Sequence, residues 1–311
     1  MATAAAVAFA PAPARKATAP APIAATLVPA PARKTKPAAA PAPAPAVAKP
    51  TPPEAILRIK LDGLFHESFP NEPADVLSKR LARDGYLFVR GLAPKKRLLG
   101  IRNDILKLCA EHGWLDETAP VTQGIYAKRA DFPEYQDEYM PLYRKLIQQG
   151  PFNACSQDPK IMRFFAKVLG GPILAHPRNI ARISFPRHYE NTTQPHQDFF
   201  YIHGTPETYT TWIPLGDCPR ELGGLAIQKG SHKAGPLTHE RTIGAGGNGT
   251  CGEGRWLGAD YRIGDVVIFH SYTIHGALDN HTENQLRLSL DYRYQRDHLP
   301  VDPGSLRPHG G

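Results

Sequence analysis

The chain has little cysteine, no apolar run as long as a bilayer crossing, and no acidic residue before Glu54. Its four cysteines, Cys109, Cys155, Cys218 and Cys251, lie far apart and form no Cys-x-x-Cys pair. So few in 311 residues cannot make a disulfide framework, and free thiols in a reducing, cytoplasmic setting are expected. A spanning helix needs about 20 consecutive apolar residues, and no stretch comes near that. There is no dinucleotide fingerprint and no nucleophile–base pair with a supporting motif.

The missing acids divide the chain. Residues 1–53 are nearly all Ala and Pro, with 13 of the 32 prolines and six basic residues, Arg15, Lys16, Arg33, Lys34, Lys36 and Lys49. Six of the net +8 charges therefore sit there, and the remaining 258 residues carry only +2. A tract of this composition buries too little apolar surface to offset the entropy of ordering it, so a disordered tail is expected. Lack of acids suits a transit peptide, but the prolines would break its amphipathic helix. A solubilising arm that could contact an anionic partner is the expected role, with organelle targeting left open. With the basic excess confined to the tail, no nucleic-acid-binding face is expected in the body.

From Glu54 to about Gly171 the pattern is mainly helical. Pro73–Asp84 places Val76, Leu77, Leu81 and Ala82 at helical spacing before Gly85, and Tyr86–Arg90 is a short strand. Pro94–His112 turns Leu98, Leu99, Ile101, Ile105, Leu106 and Cys109 inward and stops at Gly113. Tyr135–Gln149 and Lys160–Leu169 are further helices. From about 172 to 296 short runs rich in Val, Ile, Thr, Tyr and Phe alternate with turns: Ile180–Phe185, Asp198–His203, Tyr209–Leu215, Gly224–Gln228, Asp265–Phe269 and Leu286–Tyr294. Many short strands at this spacing predict a sandwich or jelly roll, mainly β with flanking helices. Gly244–Gly254 holds six glycines in eleven residues, too flexible for a strand, and reads as a loop over the barrel mouth or a surface insertion.

Four residues carry the chemistry. His196 and Asp198 stand two apart, so in a strand both point to one face. His275 follows an apolar strand opened by Gly264-Asp265, and Arg287 starts the last strand with Ser289 on its face. Two imidazoles and a carboxylate are the facial set of non-haem Fe(II) oxygenases. A guanidinium binds a carboxylate bidentately, which suits an oxo-acid cosubstrate. Arg293 is the nearby alternative to Arg287. His270 faces away from His275 and is expected to be packed, and His232 belongs to a structural turn. His188 and His203 are weak candidates for substrate contact. Phe200 shares the parity of His196 and Asp198, so either the pocket or the core could hold it. Gly223 and Gly224 read as a turn requirement, not a phosphate cradle.

The chain resembles the phytanoyl-CoA dioxygenase-like family of Fe(II)/2-oxoglutarate oxygenases. The resemblance runs from about Leu77 to Tyr294. It rests on Leu81-Ala-Arg-Asp-Gly-Tyr-Leu-Phe-Val-Arg-Gly-Leu, Gln194-Pro-His-Gln-Asp-Phe-Phe-Tyr, Trp212-Ile-Pro-Leu, Gly223-Gly-Leu-Ala-Ile-Gln-Lys-Gly-Ser-His, Gly264-Asp-Val-Val-Ile-Phe-His, His275-Gly and Arg287-x-Ser289. It implies a dioxygenase domain over residues 54–311 whose core, about 172–296, is a double-stranded β-helix, a cupin-like jelly roll, with His196, Asp198 and His275 on Fe(II). Arg287 and Ser289 would bind the distal carboxylate of 2-oxoglutarate. Trp212 matches an aromatic near the cosubstrate, with core packing an equal alternative. The implied reaction consumes O2 and 2-oxoglutarate, gives succinate and CO2, and hydroxylates an unactivated C–H bond of a small-molecule or carrier-bound substrate. Asp198 disfavours halogenation, since related halogenases have a small residue at that position. The competing reading is a metal-holding cupin-like module without turnover. Substrate choice would lie in variable loops, here Gln123–Tyr139 and Gly244–Gly254.

Overall fold

The computed structural model describes residues 58–127, 139–240, 248–249 and 254–309. The Ala/Pro tail expected over 1–53 lies outside them, as do Cys251 and most of both variable loops. In chain order come β1 (Gly63–Leu64), β2 (Glu67–Ser68), α1 (Ala74–Asp84), β3 (Tyr86–Val89) and α2 (Lys95–Glu111). Then follow α3 (Tyr139–Ile147), α4 (Gly150–Cys155), α5 (Pro159–Leu169), β4 (Ile173–Ala175), β5 (Ile180–Ser184) and α6 (Phe199–Ile202). The rest is strand: β6 (Tyr209–Pro214), β7 (Leu225–Gln228), β8 (His239–Glu240), β9 (Asn248–Gly249), β10 (Trp256–Gly258), β11 (Val266–His270), β12 (His275–Ala277) and β13 (Arg287–Arg296).

Local chemistry sets the helix ends. The Asp158 carboxylate accepts from Lys160 N (2.9 Å), and Pro159 opens α5 where no amide donor is needed. Gly85 ends α1 at φ +79°, and a Cβ there would meet His232 Nδ1 at 2.4 Å. The helical stripes are narrower than their sequences suggest. Leu77 and Leu81 are buried, but Val76 is 37% exposed and Leu99 48%, and Ala82 is exposed too. The neighbouring elements reach only part of each helix's apolar surface.

Two sheets form the jelly roll. The larger runs β2-β3-β11-β6-β13-β4, with β5 also on β13, and the smaller runs β1-β10-β7-β12. Between them lies an apolar core of Phe65, Phe88, Trp212, Ile227, Val267 and Phe269, among others. Helices pack the outer face of the larger sheet. In β11, Val267 and Phe269 face the inner core while Val266 and Ile268 face the helical side. In β13, Leu288, Leu290, Tyr292 and Tyr294 join the helical core. The alternate residues Arg287, Ser289, Asp291, Arg293 and Gln295 are all buried too, so a polar row faces the interior. That row builds one wall of the site.

Two sequence expectations are corrected here. Asp198–His203 is no strand, because the chain enters α6 instead. Within the glycine-rich stretch, Asn248–Gly249 pairs with His239–Glu240 as β9 on β8, since a backbone ladder needs no side chain. Gly223 meets its turn expectation, with φ +81° and a neighbouring Leu278 carbonyl 2.6 Å from where a Cβ would stand.

Candidate metal centre and adjoining cavity

His196 and His275 meet through a single backbone bridge. His196 N donates to His275 O (2.9 Å) and His275 N to His196 O (3.0 Å), and the ring centroids lie 4.2 Å apart. The chain then turns at Asp198, whose φ of −65° and ψ of −30° are helical. Asp198 therefore points inward because the backbone turns, not through strand alternation. A helix rotates about 100° per residue, so the parity extended to Phe200 fails. Phe200 is 42% exposed, and Tyr201 lies beside His196 with centroids 5.8 Å apart.

Hydrogen bonds fix the histidine tautomers. His196 Nδ1 lies 2.8 Å from Gln194 O and His275 Nδ1 3.0 Å from Thr273 O. A carbonyl only accepts, so each Nδ1 carries the proton and each Nε2 presents a lone pair. Both Nε2 atoms face Asp198 Oδ1, at 3.6 and 3.8 Å. These ligand atoms lie within 4.8 Å of one another and all three residues are buried. Burial, then the neighbouring His196, pushes His275 down to about 3, so it is neutral at physiological pH.

Asp198 is held at its other oxygen. Oδ2 accepts from Thr210 Oγ1 (2.5 Å) and from Arg293 Nε and Nη2 (3.3 Å each). Thr210 and Arg293 are direct partners across β6 and β13, so sheet register aims both donors at one atom. Burial opposes the Asp198 charge, but Arg293, His196 and His275 together outweigh it and hold the carboxyl well below the usual carboxylate range. Arg293 is thus committed to Asp198. The sequence carried a signal for this in the strict polar–apolar alternation Arg-Leu-Ser-Leu-Asp-Tyr-Arg-Tyr of β13. Thr210 gave none, because its role depends on the register of another strand.

Arg287 is buried and its Nη1 donates to Ser289 Oγ at 2.7 Å. The Ser289 proton is therefore directed elsewhere and can meet an anion. Trp212 lies 5.9 Å from the guanidinium and also packs in the inner core. A narrow cleft lined by His196, Asp198, Trp212, Phe269, His275 and Arg287 joins the triad to this pair. Beside it opens a cavity of about 310 Å³ that shares His196, Asp198 and Arg287 with the cleft and is also lined by Arg293.

The other histidines divide. His232 Nε2 lies 3.0 Å from the Ala82 carbonyl, and His270 Nδ1 accepts from Tyr272 N at 3.0 Å, so both are packed structurally. His203 caps α6 and is exposed. His188 does line the cavity, more of a role than its sequence context suggested. Cys109, Cys155 and Cys218 are buried, and burial pushes their thiols up to about 12, 11 and 11, which makes them unreactive. Among the described residues no helix is long and apolar enough to cross a membrane.

A jelly roll carrying two histidines and an aspartate at one mouth defines the class of protein. The phytanoyl-CoA dioxygenase (PhyH) family model matches residues 81–288, and the chain belongs to that family. A 1-deoxypentalenic acid 11-beta-hydroxylase of Streptomyces arenae is 34% identical over 153 residues, 44% of this chain and 54% of that protein. The chain thus matches about half the length of that relative. A probable phytanoyl-CoA dioxygenase of Caenorhabditis elegans is 22% identical over 231 residues, 70% of this chain and 73% of that one. Among solved structures, the epimerase SnoN in complex with Fe3+, alpha ketoglutarate and nogalamycin RO aligns with a TM-score of 0.54 at 20% identity, over 74% of this chain and 86% of that one. EctD from S. alaskensis in its apoform gives 0.51 at 15%, over 80% and 86%. At such identity these two likenesses speak for the fold, a cupin-like jelly roll.

Proposed function

We propose that the chain is an Fe(II)- and 2-oxoglutarate-dependent dioxygenase that hydroxylates an unactivated C–H bond of a small-molecule substrate. The observation that carries this is the convergence of two Nε2 lone pairs and Asp198 Oδ1, with both tautomers fixed and the second carboxylate oxygen tied back. This donor set fits a divalent iron with open positions. Bound Fe(II) with 2-oxoglutarate and O2 supplies the oxidant, one oxygen atom going to substrate and one to succinate as CO2 leaves.

The remaining work falls to the chain's own residues. His196, Asp198 and His275 hold the ion, and Thr210 and Arg293 keep Asp198 from swinging away. Arg287 and Ser289 bind the distal carboxylate of 2-oxoglutarate from the cleft, beside Trp212. The larger cavity receives the substrate and excludes bulk water. The Asp198 carboxylate leaves no room for a halide at that position, so hydroxylation is favoured over halogenation. A metal-holding module without turnover would need neither the Arg287–Ser289 pair nor a second cavity. The test is direct. Purified protein should bind Fe(II) and 2-oxoglutarate by anaerobic calorimetry and release succinate with O2; absence of both binding and release sinks the reading.

A further inference from the structure

The cavity beside the triad is unevenly charged. Arg178, Arg182, Arg287 and Arg293 line it, against the single carboxylate of Asp198. Arg182 and Arg293 have carboxylate partners among the described residues. Arg182 Nε meets Asp291 Oδ2 at 2.6 Å, and Arg293 meets Asp198 at 3.3 Å. Arg287 donates to Ser289. Arg178 differs: among the described residues no carboxylate is in ion-pair contact with it, and its guanidinium reaches only the Gly304 carbonyl, at 3.5 Å. It is half-buried, where a charge is less screened than on an open surface.

A neighbouring residue reports the field there. His309 stands in the same wall, its Nδ1 2.9 Å from Tyr143 Oη. Burial first, then the charges of Arg178, Arg293 and Arg182, pushes its imidazole down to about 4. Burial is the larger cause, and the three guanidiniums act in the same direction, against one more proton. Much of the remaining wall is apolar, with Tyr139, Met140, Ile183, Phe185 and Ile202.

We propose that Arg178 anchors a carboxylate on the substrate, and that the substrate is a compact, largely apolar free carboxylic acid. The assignment of the oxidised position rests on the iron-dependent reading above; the anchoring does not. Size and chemistry both argue against a coenzyme A thioester. About 310 Å³ is at the small end of ligand cavities, with no room for a nucleotide and its long arm. A thioester has also converted away the carboxylate that Arg178 would bind. A guanidinium–carboxylate pair in a partly dry site fixes one end of the ligand, and the apolar walls then hold its body toward the triad.

The probe pair is adamantane-1-carboxylate and 1-adamantanemethanol, alike in bulk and different in charge. Calorimetry on the full chain, without metal and again with Mn(II) and 2-oxoglutarate, should show the carboxylate binding and the alcohol binding at least tenfold more weakly. Arg178→Gln should cost the carboxylate roughly 10- to 100-fold in affinity, the range expected for a charged hydrogen bond, and leave the alcohol unchanged. Arg178→Lys should recover part of the loss. Equal binding of acid and alcohol, no binding of either, or a carboxylate affinity indifferent to Arg178 would each overturn the proposal. So would carboxylate binding that is lost on Arg287→Ala but kept in Arg178→Gln, since the acid would then occupy the cosubstrate cleft. Stimulation of succinate release by an acyl-coenzyme A but by no free acid would overturn it too. If the acid binds through Arg178 but Fe(II) never yields succinate, the anchoring stands and the oxygenase reading falls.

Discussion

Arg293→Met removes the charge that faces Asp198 while keeping a long apolar side chain in its place. Both partners have 4% of their side-chain surface exposed, so solvent cannot replace the lost guanidinium. Breaking a buried pair from one side typically costs about 3–5 kcal/mol, because the other charge stays buried and uncompensated. Thr210 still donates to Asp198 Oδ2, which places the metal-free variant toward the lower end of that range. At about 2–4 °C per kcal/mol for a domain of this size, a cost of about 3–4 kcal/mol should lower the midpoint by roughly 6–16 °C. A divalent ion then changes the balance, since its charge compensates Asp198 directly. Mn(II) should therefore stabilise the variant by more than it stabilises the wild type. A double-mutant cycle with Asp198→Asn isolates the pair: Arg293→Met should cost far less in the Asn background. Denaturant unfolding of the four proteins, with and without Mn(II), is the measurement. Additivity within about 0.5 kcal/mol would refute the coupling, and an unequal cost explained only by lost packing would leave the Mn(II) response unchanged.

Arg287→Ala should raise the 2-oxoglutarate requirement by roughly 10- to 100-fold while Mn(II) affinity holds, as read by calorimetry of each ligand; an unchanged requirement removes Arg287 from the cosubstrate site. Asp198→Gly should weaken Mn(II) binding, and formate should restore part of it, because Arg293 and Thr210 remain to seat a small carboxylate; a titration indifferent to formate would count against that anchoring. Phe269→Ala should cost about 3–5 kcal/mol of unfolding free energy, since the ring packs in the inner core and against His275 with centroids 4.3 Å apart. His270 gives a pH dependence. Burial, then the neighbouring His232, pushes it down to about 4 from an ordinary 6.5. The unfolded chain then binds the proton more readily, so this contribution is present above pH 6.5 and is lost as pH falls toward 4. It amounts to about 1–3 kcal/mol after allowance for partial exposure, and His270→Gln should flatten the unfolding free energy over that window.

The residue types of the site were legible because chemistry restricts them. A metal-facing set needs imidazole and carboxylate, and those stand out in a strand-rich background. Their conformations were less legible. Asp198 was expected to face inward by strand alternation, yet a helical turn brings it there and sends Phe200 to solvent. Elements held together by distant partners were also hard to see. β10 and β12 have three residues each, too short for a period-2 pattern, and exist because β7 pairs with both. Thr210 and Arg182 escaped for the same reason, since each acts through register against β13. Val76 and Leu99 were expected inward because spacing marks every apolar residue near a face. Only packing decides which of them the sheet covers.

β13 shows why so much of the site rides on one strand. Its apolar residues face the helices and its polar residues face the interior, so fold and chemistry are written on opposite sides of a single backbone. A shift of one residue would exchange the two sets, placing Leu288 and Leu290 against the metal centre and burying Arg287 and Arg293 among aromatic rings. Such a slip would be prohibitive on both faces at once. The helical core therefore fixes the register, and register in turn delivers Ser289 to Arg287 and Arg293 to Asp198. Substitutions at Tyr292 or Tyr294, whose hydroxyls donate to the Phe152 and Ser156 carbonyls at 2.8 and 2.9 Å, should disturb the candidate metal centre without touching it. In this arrangement the helices are part of the site's geometry, because they hold the strand whose other face carries Arg287, Ser289 and Arg293.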